Sequence, residues 1–264
     1  MDSFSAPASI LITGASSGIG AALALEFAGP GVRLALTGRD QGRLNAVAEA
    51  CSKAGAEPRV AVLDVRARDA LAAWIAEVDL AAPLDLAIAN AGVSAGTGGA
   101  GGDAGGDAGE TEDQTRRVIA TNLDGVLNTV LPVVARMRPR GRGQVAIMSS
   151  MAAFRGFPGA PAYCASKAAV RVWGEALRGE LHGAGIGVSV ICPGYVRSRM
   201  TAVNDFPMPL LMDAERAARI IRRGLARNRS RIAFPWPLYA AVWLLSALPP
   251  RLTDPLLRRL PKKT

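Results

Sequence analysis

Cysteine and histidine are scarce in this sequence. The three cysteines, Cys51, Cys164 and Cys192, form no CxxC pair, and His182 is the single histidine. An odd number of cysteines is typical of a reducing compartment rather than of a disulfide framework. A lone histidine without a CxxC motif gives no zinc-ligand pattern. We therefore expect no metal, and we interpret His182 as a dipole-compensating residue at the end of a helix.

Other signals are absent as well. The N-terminal MDSFSAPAS has no basic start and no long apolar core, so no secretory signal is visible. The net charge of +9 comes without a recognisable nucleic-acid module, and the arginines are scattered along most of the chain, which argues against a nucleic-acid partner. With 264 residues, half of them apolar, we expect one globular domain over residues 1–264 and a cytoplasmic location.

Short apolar runs alternate with longer amphipathic runs along the chain. Strands are predicted in ASILIT, VRLALTG, EPRVAVLDV, LDLAIANAG, GQVAIMSS and IGVSVICPG. Several are nearly continuous in Val, Ile, Leu and Ala, as in strands that are covered on both faces. Helices are predicted at residues 19–28, 41–54, 69–78, 112–138, 162–182 and 213–226. This order predicts an α/β fold with a parallel sheet, right-handed crossovers and helices on both faces.

One segment interrupts the alternation. Residues 95–110, AGTGGAGGDAGGDAGE, are rich in glycine, so that ordering them would cost backbone entropy and bury little surface. One interpretation is a surface insertion. The other is a flap beside a site, because loops at the carboxyl ends of parallel strands surround the ligand crevice of such folds.

The motif TGASSGIG, residues 13–20, follows the first predicted strand and opens the first predicted helix. Free backbone N–H groups and the positive end of a helix dipole at such a turn suit a pyrophosphate. Gly14, Gly18 and Gly20 would allow the tight turn and a close approach of the ligand. Their spacing departs from GxGxxG, so a plain glycine-rich turn stays open for this segment taken alone.

The end of the second predicted strand reads LTGRD. Gly38 stands where dinucleotide folds that select NAD place an acid, and Arg39 follows. A guanidinium there can bind a ribose phosphate in a bidentate contact. This favours NADP(H) over NAD(H), while the alternative is a surface arginine next to Asp40.

The set TGASSGIG, LDV, ANAG, Asn122, Ser150, YCASK and PGYV has the order and approximate spacing of the short-chain dehydrogenase/reductase family, which this sequence closely resembles over roughly residues 9–200. The resemblance implies a Rossmann-type, doubly wound parallel sheet of about seven strands in a single domain. It implies cofactor contacts in the glycine-rich turn, at the adenine, along the nucleotide groove and beside the nicotinamide. These would come from Gly14, Ser16, Ser17, Gly18, Ile19, Gly20, Arg39, Asp64, Val65, Asn90, Ala91, Gly92, Tyr163, Lys167, Pro193, Gly194 and Val196.

The same resemblance implies a catalytic set of Asn122, Ser150, Tyr163 and Lys167. The spacing of YCASK places Tyr163 and Lys167 on one face of a helix. A free tyrosine has a pKa near 10, and a neighbouring ammonium lowers that pKa toward the working range. Ser150 would polarise the carbonyl, Lys167 would also hold the nicotinamide ribose, and Asn122 would anchor a water that resupplies the proton.

Two neighbours of these residues are assigned to packing. Ser149 and Ser150 alternate across a strand end, so their side chains face opposite ways. The separation of thirteen residues from Tyr163 matches the family at Ser150 and leaves Ser149 for packing. Cys164 points about 100° away from Tyr163 on a helix, so we expect no nucleophilic chemistry from it.

The family places a mobile substrate lid after PGYV, at about residues 195–212 here. The part FPMPLLM is apolar and contains two methionines, which fill irregular space and tolerate varied ligands. We hypothesise an apolar or lipid-like substrate. The alternative is that the apolar side of the lid only covers the cofactor and the core.

The C-terminal extension, residues 236–264, joins an apolar run of about a dozen residues to a second amphipathic piece rich in Arg and Lys. The run is shorter than the roughly 20 apolar residues that cross a bilayer. Tryptophans, leucines and flanking cations would suit a helix in the interface at the inner face of a membrane. The alternative is packing on the core or at a subunit contact of a homodimer or homotetramer.

The leading hypothesis is therefore an NADP(H)-dependent carbonyl reductase or alcohol dehydrogenase (EC 1.1.1.-) that acts on a small hydrophobic carbonyl or alcohol. The alternative is a non-catalytic NADP(H)-binding protein, such as a membrane-associated scaffold or sensor, because an intact nucleotide site need not turn over. The presence of all four catalytic-type residues favours the enzyme.

Overall fold

A computed structural model of the protein describes residues 7–94, 110–204 and 206–257. Most of the glycine-rich insertion and the basic residues Arg258, Arg259, Lys262 and Lys263 lie outside these ranges. The strands are β1 (Ser9–Thr13), β2 (Arg33–Gly38), β3 (Glu57–Val62), β4 (Leu86–Ala89), β5 (Gly143–Met148), β6 (Ile186–Pro193) and β7 (Arg231–Phe234). They form one parallel sheet in the order β3-β2-β1-β4-β5-β6-β7.

Helices connect the strands. They are α1 (Gly18–Phe27), α2 (Gln41–Lys53), α3 (Arg68–Ala81), α4 (Glu112–Ile119), α5 (Gly125–Met137), α6 (Pro161–Leu181), α7 (Arg199–Ala202), α8 (Ala214–Ala226), α9 (Trp236–Ala247) and α10 (Pro250–Leu257). The predicted single α/β domain with a doubly wound sheet of seven strands is confirmed. All six predicted strand segments are strands, and β7 was not among them because its four residues, RIAF, give too short an apolar run to register.

Alternate residues of the strands fill two separate cores. Ile10 and Ile12 of β1 pack into the core on one face, together with Leu23 of α1 and Ile221 of α8. Leu11 points to the opposite face, where α3, α5 and α6 cover the sheet. Each face of the central strands is therefore buried, which is why their sequences read as continuous apolar runs.

The predicted helix at residues 112–138 is one continuous helical run with a change of winding. Between α4 and α5, residues Ala120–Asp124 form a turn of π-helix. The run Glu112–Arg140 is long and apolar enough to cross a membrane, and half of its apolar window is buried inside the protein. Val133 and Met137 belong to the core that covers the sheet, so this run is a core helix of the fold.

The strand order reverses direction between β1 and β4. Crossovers lead from β1 outward to β2 and β3 on one side and from β4 outward to β7 on the other. The loops at the carboxyl ends of β1 and β4 therefore diverge and open a crevice, which is where open α/β sheets bind their ligands. The predicted site residues Gly14 and Asn90 directly follow these two strands.

Candidate active site

The glycine-rich turn after β1 has the backbone that only glycine adopts easily. Gly14 and Gly18 have φ of +67° and +57°. A Cβ at Gly20 would lie 2.3 Å from the carbonyl oxygen of Gly14 and 2.5 Å from the Asn90 side chain. Ser17 is the N-cap of α1 and Ile19 lies in its first turn, so the free N–H groups at this helix start face the crevice end of the sheet. This cradle fits a pyrophosphate.

Hydrogen bonds lock the turn to the loop after β4. The Asn90 side chain donates to the carbonyl oxygens of Thr13, at 2.9 Å, and Gly14, at 3.2 Å. The Thr13 hydroxyl accepts from the backbone N–H groups of Asn90 and Ala91 at 3.1 and 3.2 Å. Thr13 thereby positions both walls of the groove. No role for Thr13 was predicted from the sequence, although it is the first residue of the TGASSGIG motif.

Arg39 lies at the end of β2, beside the same turn. A Cβ at Gly38 would come within 3.1 Å of the Ser16 side chain, so β2 approaches the turn closely. Arg39 is exposed, and it forms no ion pair with any residue that the structure describes. The pKa of Asp64 is held below its usual range by a hydrogen bond from Arg66, with a smaller contribution from Arg39, so the two arginines and this carboxylate lie at one end of the crevice.

The remaining predicted cofactor positions lie after β3 and at the end of β6. Val65 is buried and leaves no room for a side chain at Gly125, where a Cβ would lie 2.5 Å from a Val65 methyl carbon. Pro193 ends β6, and the Gly194 N–H donates to the Phe234 carbonyl at 2.8 Å. Val196 pairs with Met212 in an isolated bridge at the two ends of the predicted lid.

Ser150 and Tyr163 meet at the end of β5. The tyrosine is carried by the first turn of α6, and its hydroxyl lies close enough to Ser150 for the serine to lower its pKa. Ser150 is held in turn, because its Oγ accepts from the Ala152 N–H at 3.1 Å. Ser149 points the other way and donates to the Lys167 carbonyl at 2.7 Å while fully buried. The structure therefore brings Ser150 to the tyrosine and leaves Ser149 inside the packing.

The pKa of Tyr163 differs from the expectation. Burial raises the pKa of its hydroxyl above the ordinary value, and the hydrogen bond with Ser150 opposes this rise only in part. The expectation that the neighbouring ammonium brings this pKa below its ordinary value was wrong. The Lys167 Nζ lies 5.8 Å from the centroid of the tyrosine ring, and the loss of water around the phenol outweighs that distant charge.

Lys167 is itself buried beneath the crevice. Its Nζ donates to the Met148 carbonyl at 2.9 Å, and it would lie 3.3 Å from a Cβ on Gly92. Burial lowers the pKa of this amine from 10.5 to about 8. Gly92, which ends the ANAG motif, is therefore the residue whose lack of a side chain lets the amine reach the groove.

Asn122 lies in the π-helical turn between α4 and α5 and is fully buried. Its side-chain oxygen accepts from the Val93 N–H at 2.8 Å, and its amide nitrogen donates to the Val93 carbonyl at 2.9 Å and to Ser166 Oγ at 3.1 Å. The expectation that Asn122 anchors a water stays a prediction. In the structure its side chain fixes the segment after Gly92. Ser166, which the sequence did not single out, links this asparagine to α6.

The predicted lid contributes an aromatic pair next to Tyr163. Tyr195 lies close enough to Tyr163 to raise its pKa slightly, and the Tyr195 and Phe206 rings meet edge to face with centroids 6.2 Å apart. Ser198 caps the short helix α7 and would be 3.1 Å from a Cβ on Gly18. The segment therefore reaches from the tyrosine to the glycine-rich turn. Tyr195, within PGYV, was not assigned a role from the sequence.

The two ends of the glycine-rich insertion also border this site. Val93, just before it, is bound to Asn122, and Glu110, at its end, accepts from the Ala162 N–H at 2.7 Å. Ala162 directly precedes Tyr163. Both interpretations of the insertion, as a surface loop or a flap, concern residues outside the described ranges.

The cysteines and the histidine take no part in the site. Cys51, Cys164 and Cys192 are free and buried, and burial raises the pKa of the Cys164 thiol, in agreement with a packing role. His182 follows the last turn of α6. No cluster of three His, Cys, Asp or Glu residues that could hold a metal occurs within the described ranges.

Comparisons with known proteins agree with the motifs. The family model of the short chain dehydrogenases matches residues 8–206. An uncharacterized oxidoreductase of Myxococcus xanthus is 39% identical over 251 residues, which cover 95% of this chain and 96% of that protein.

Solved structures agree as well. A short-chain dehydrogenase from Sphingobium yanoikuyae in complex with NADPH is 26% identical, with a TM-score of 0.77 and 97% of each chain covered. A short-chain dehydrogenase/reductase from Burkholderia phymatum in complex with NAD has the same fold, with a TM-score of 0.80, 24% identity, and coverage of 100% of this chain and 99% of that one.

Proposed function

This chain belongs to the short-chain dehydrogenase/reductase family of oxidoreductases, and we propose that it interconverts a ketone and a secondary alcohol with NADP(H). One observation carries the proposal. A tyrosine hydroxyl next to a serine, a buried lysine amine and a glycine-rich helix start lie around the crevice where the sheet changes direction. A protein that binds a nucleotide without catalysing a reaction has little need of the tyrosine–serine pair and the buried lysine.

The proposed roles follow from the position of each group. A bound nicotinamide supplies or accepts the hydride. Ser150 and the Tyr163 hydroxyl both reach the carbonyl oxygen, where negative charge develops and where hydrogen-bond donors are most effective. Tyr163 donates the proton in reduction and removes it in oxidation. Since the Lys167 amine uses one hydrogen bond on Met148, its other N–H groups are free to hold the nicotinamide ribose.

Asn122 is proposed as a positioning residue. Its three hydrogen bonds join the segment of Gly92 and Val93 to α6 through Ser166, so it keeps the groove and the catalytic tyrosine in register. Since π-helical turns are frequent at functional sites, the local change in winding agrees with this role.

The preference for NADP(H) is proposed from Arg39. The two solved relatives hold NADPH and NAD, so the choice depends on the residues of this chain. Arg39 is an exposed cation at the end of β2, without an ion-pair partner among the described residues, and Gly38 stands where an acid would repel a phosphate. A ribose phosphate would supply the missing anion in a bidentate contact.

The substrate is proposed to be apolar. Tyr195 and Phe206 present an aromatic pair beside Tyr163, and Met208 and Leu211 continue the same apolar segment. Such a wall offers few hydrogen bonds to a sugar and a good fit to a ring or an acyl chain. We also propose a cytoplasmic homo-oligomer, in agreement with the three free cysteines.

The test is a screen of the purified full chain for depletion of NADPH and of NADH. The substrates are steroid ketones, long-chain 3-keto esters and small polar carbonyls such as dihydroxyacetone. Turnover with NADPH of the apolar ketones supports the whole proposal. Turnover only of the polar set would contradict the apolar substrate, and tight NADPH binding without any turnover would favour the non-catalytic alternative.

A further inference from the structure

The apolar helix α9, which precedes α10, is left largely uncovered by the rest of the protein. Val242 is its buried residue, while Trp236, Leu244 and Trp243 are 69%, 58% and 53% exposed. The exposed apolar surface continues into Leu248 and Leu252. An apolar helix of a soluble domain normally buries its large side chains. An exposed apolar patch of this kind marks a surface that binds a partner.

The helix is nevertheless firmly attached. At its start the Tyr239 ring packs edge to face on Phe154, with centroids 5.5 Å apart, and its hydroxyl accepts from Arg231 at 3.0 Å. Beyond its end, Arg155 donates to Thr253 and Asp254 of α10 at 2.8 and 2.9 Å. The exposed tryptophans and leucines are therefore held as a fixed surface.

A cluster of arginines adjoins the first turn of this helix. A surface cavity of about 340 Å³ is lined by Arg223, Arg227, Arg229 and Arg231, together with Trp236 and Tyr239. Arg231 is neutralised by Glu175. The other three are exposed, and no ion pair joins them to any residue in the part of the chain that the structure describes. The cavity thus combines uncompensated positive charge with an exposed indole.

We propose that α9 and this cavity dock the protein on an anionic lipid surface. The arginines would bind lipid phosphates, and Trp236 and Trp243 would lie at the headgroup level, where tryptophan is enriched. A helix of 12 residues is about 18 Å long, shorter than the hydrocarbon core, so it would lie in the plane of the interface.

Charge favours a lipid over a second copy of the chain as the occupant. A two-fold dimer through α9 would use the same patch on both subunits, and it would bring the two uncompensated arginine clusters toward each other. An anionic membrane instead neutralises them. The inference goes beyond the proposed reaction and does not depend on it.

The first test measures cosedimentation of the full-length protein with vesicles. Phosphatidylcholine vesicles are compared with vesicles in which 30% of the lipid is phosphatidylglycerol. We expect binding to the anionic vesicles that weakens as salt is raised. The triple variant Arg223→Gln, Arg227→Gln, Arg229→Gln should lower the partition coefficient roughly a hundredfold, since each cation near the surface contributes about a factor of five.

The matched control removes three exposed arginines that do not line the cavity, in Arg68→Gln, Arg136→Gln, Arg142→Gln. Both triple variants have the same net charge, so a difference in their vesicle binding shows that the position of the removed arginines matters. Equal binding by the two, or no binding of the wild type to anionic vesicles, would overturn the proposal.

The second test uses the tryptophans themselves. Trp74 is buried and Trp173 is half-buried, so the two exposed indoles of the chain both belong to α9. Anionic vesicles of brominated lipid should quench the wild type, and the variant Trp236→Phe, Trp243→Phe should lose that quenching. If Leu244→Gln instead lowers the sedimentation coefficient of the free protein and the wild type shows no quenching, a second copy covers the helix and the lipid proposal is wrong.

Discussion

The Nζ atom of Lys167 lies 5.8 Å from the centroid of the Tyr163 ring, with the lysine buried and the tyrosine half-buried. At this distance burial governs both pKa values. It raises that of the phenol and lowers that of the amine to about 8. Burial therefore makes the charged form of each group less favourable than it is in water.

A stability difference that depends on pH is expected from Lys167. Since the folded pKa of about 8 lies below the unfolded value of 10.5, the folded state carries the cost of a buried charge in full below pH 8, and this cost is relieved as pH rises from 8 to 10.5. The gap between the two pKa values corresponds to a penalty of about 3 kcal/mol in the free energy of unfolding. The measurement is urea unfolding of the wild type and Lys167→Met at pH 7.5 and pH 10. From pH 7.5 to pH 10, the free energy of unfolding of the wild type should rise by about 2 kcal/mol more than that of the variant. The same change in both proteins would contradict this prediction.

Tyr163→Phe removes the proposed proton donor with little change in shape. Turnover should fall by about 10² to 10⁴, the usual contribution of general acid–base catalysis, while NADPH binding, followed by fluorescence titration, stays close to wild type. Tyr239→Phe is the control, because it removes a hydroxyl on α9 that bonds to Arg231 rather than to the site. Comparable turnover in Tyr163→Phe and the wild type would exclude this residue as the acid.

Arg39→Ala tests the choice of cofactor. A charge-assisted hydrogen bond contributes about 1.5 to 3 kcal/mol, so KM for NADPH should rise roughly tenfold to a hundredfold while KM for NADH changes little. Arg43→Ala is the matched control, since this nearby arginine is already paired with Asp40 at 2.8 Å. An equal effect of Arg39→Ala on both cofactors would show that the arginine does not read the phosphate.

Gly20→Ala tests the cradle after β1. The new Cβ would lie 2.3 Å from the Gly14 carbonyl oxygen, so the turn must shift, and we expect a loss of about 1 to 3 kcal/mol in stability together with loss of cofactor binding. Gly29→Ala, two residues beyond the end of α1, meets no atom within 4 Å and should leave both unchanged. Thermal unfolding with and without NADPH distinguishes them. A cofactor-induced stabilisation that survives in Gly20→Ala would argue against the cradle.

Local patterns predicted most of the fold because they depend on neighbours in the chain. The apolar runs of β1, β5 and β6 are long enough to identify buried strands, and i, i+4 spacing predicts the common face of Tyr163 and Lys167. β7 was missed because four residues carry too little pattern. Thr13, Ser166 and Tyr195 were missed because each acts through partners distant in sequence.

The sequence by itself determined the order of the first six strands and the helices between them, and the glycines that a tight turn requires. It also determined the presence of a serine, a tyrosine and a lysine at the spacing of one family. All of these are set by residue type and short-range geometry. Only the tertiary structure decided that the Asn122 side chain is hydrogen bonded to Val93 and that burial raises the pKa of Tyr163. It also decided that α9 is held in place with its tryptophans exposed. Hydrogen-bond partners, loss of water and exposure are properties of what surrounds a side chain, and segments remote in the sequence supply those surroundings.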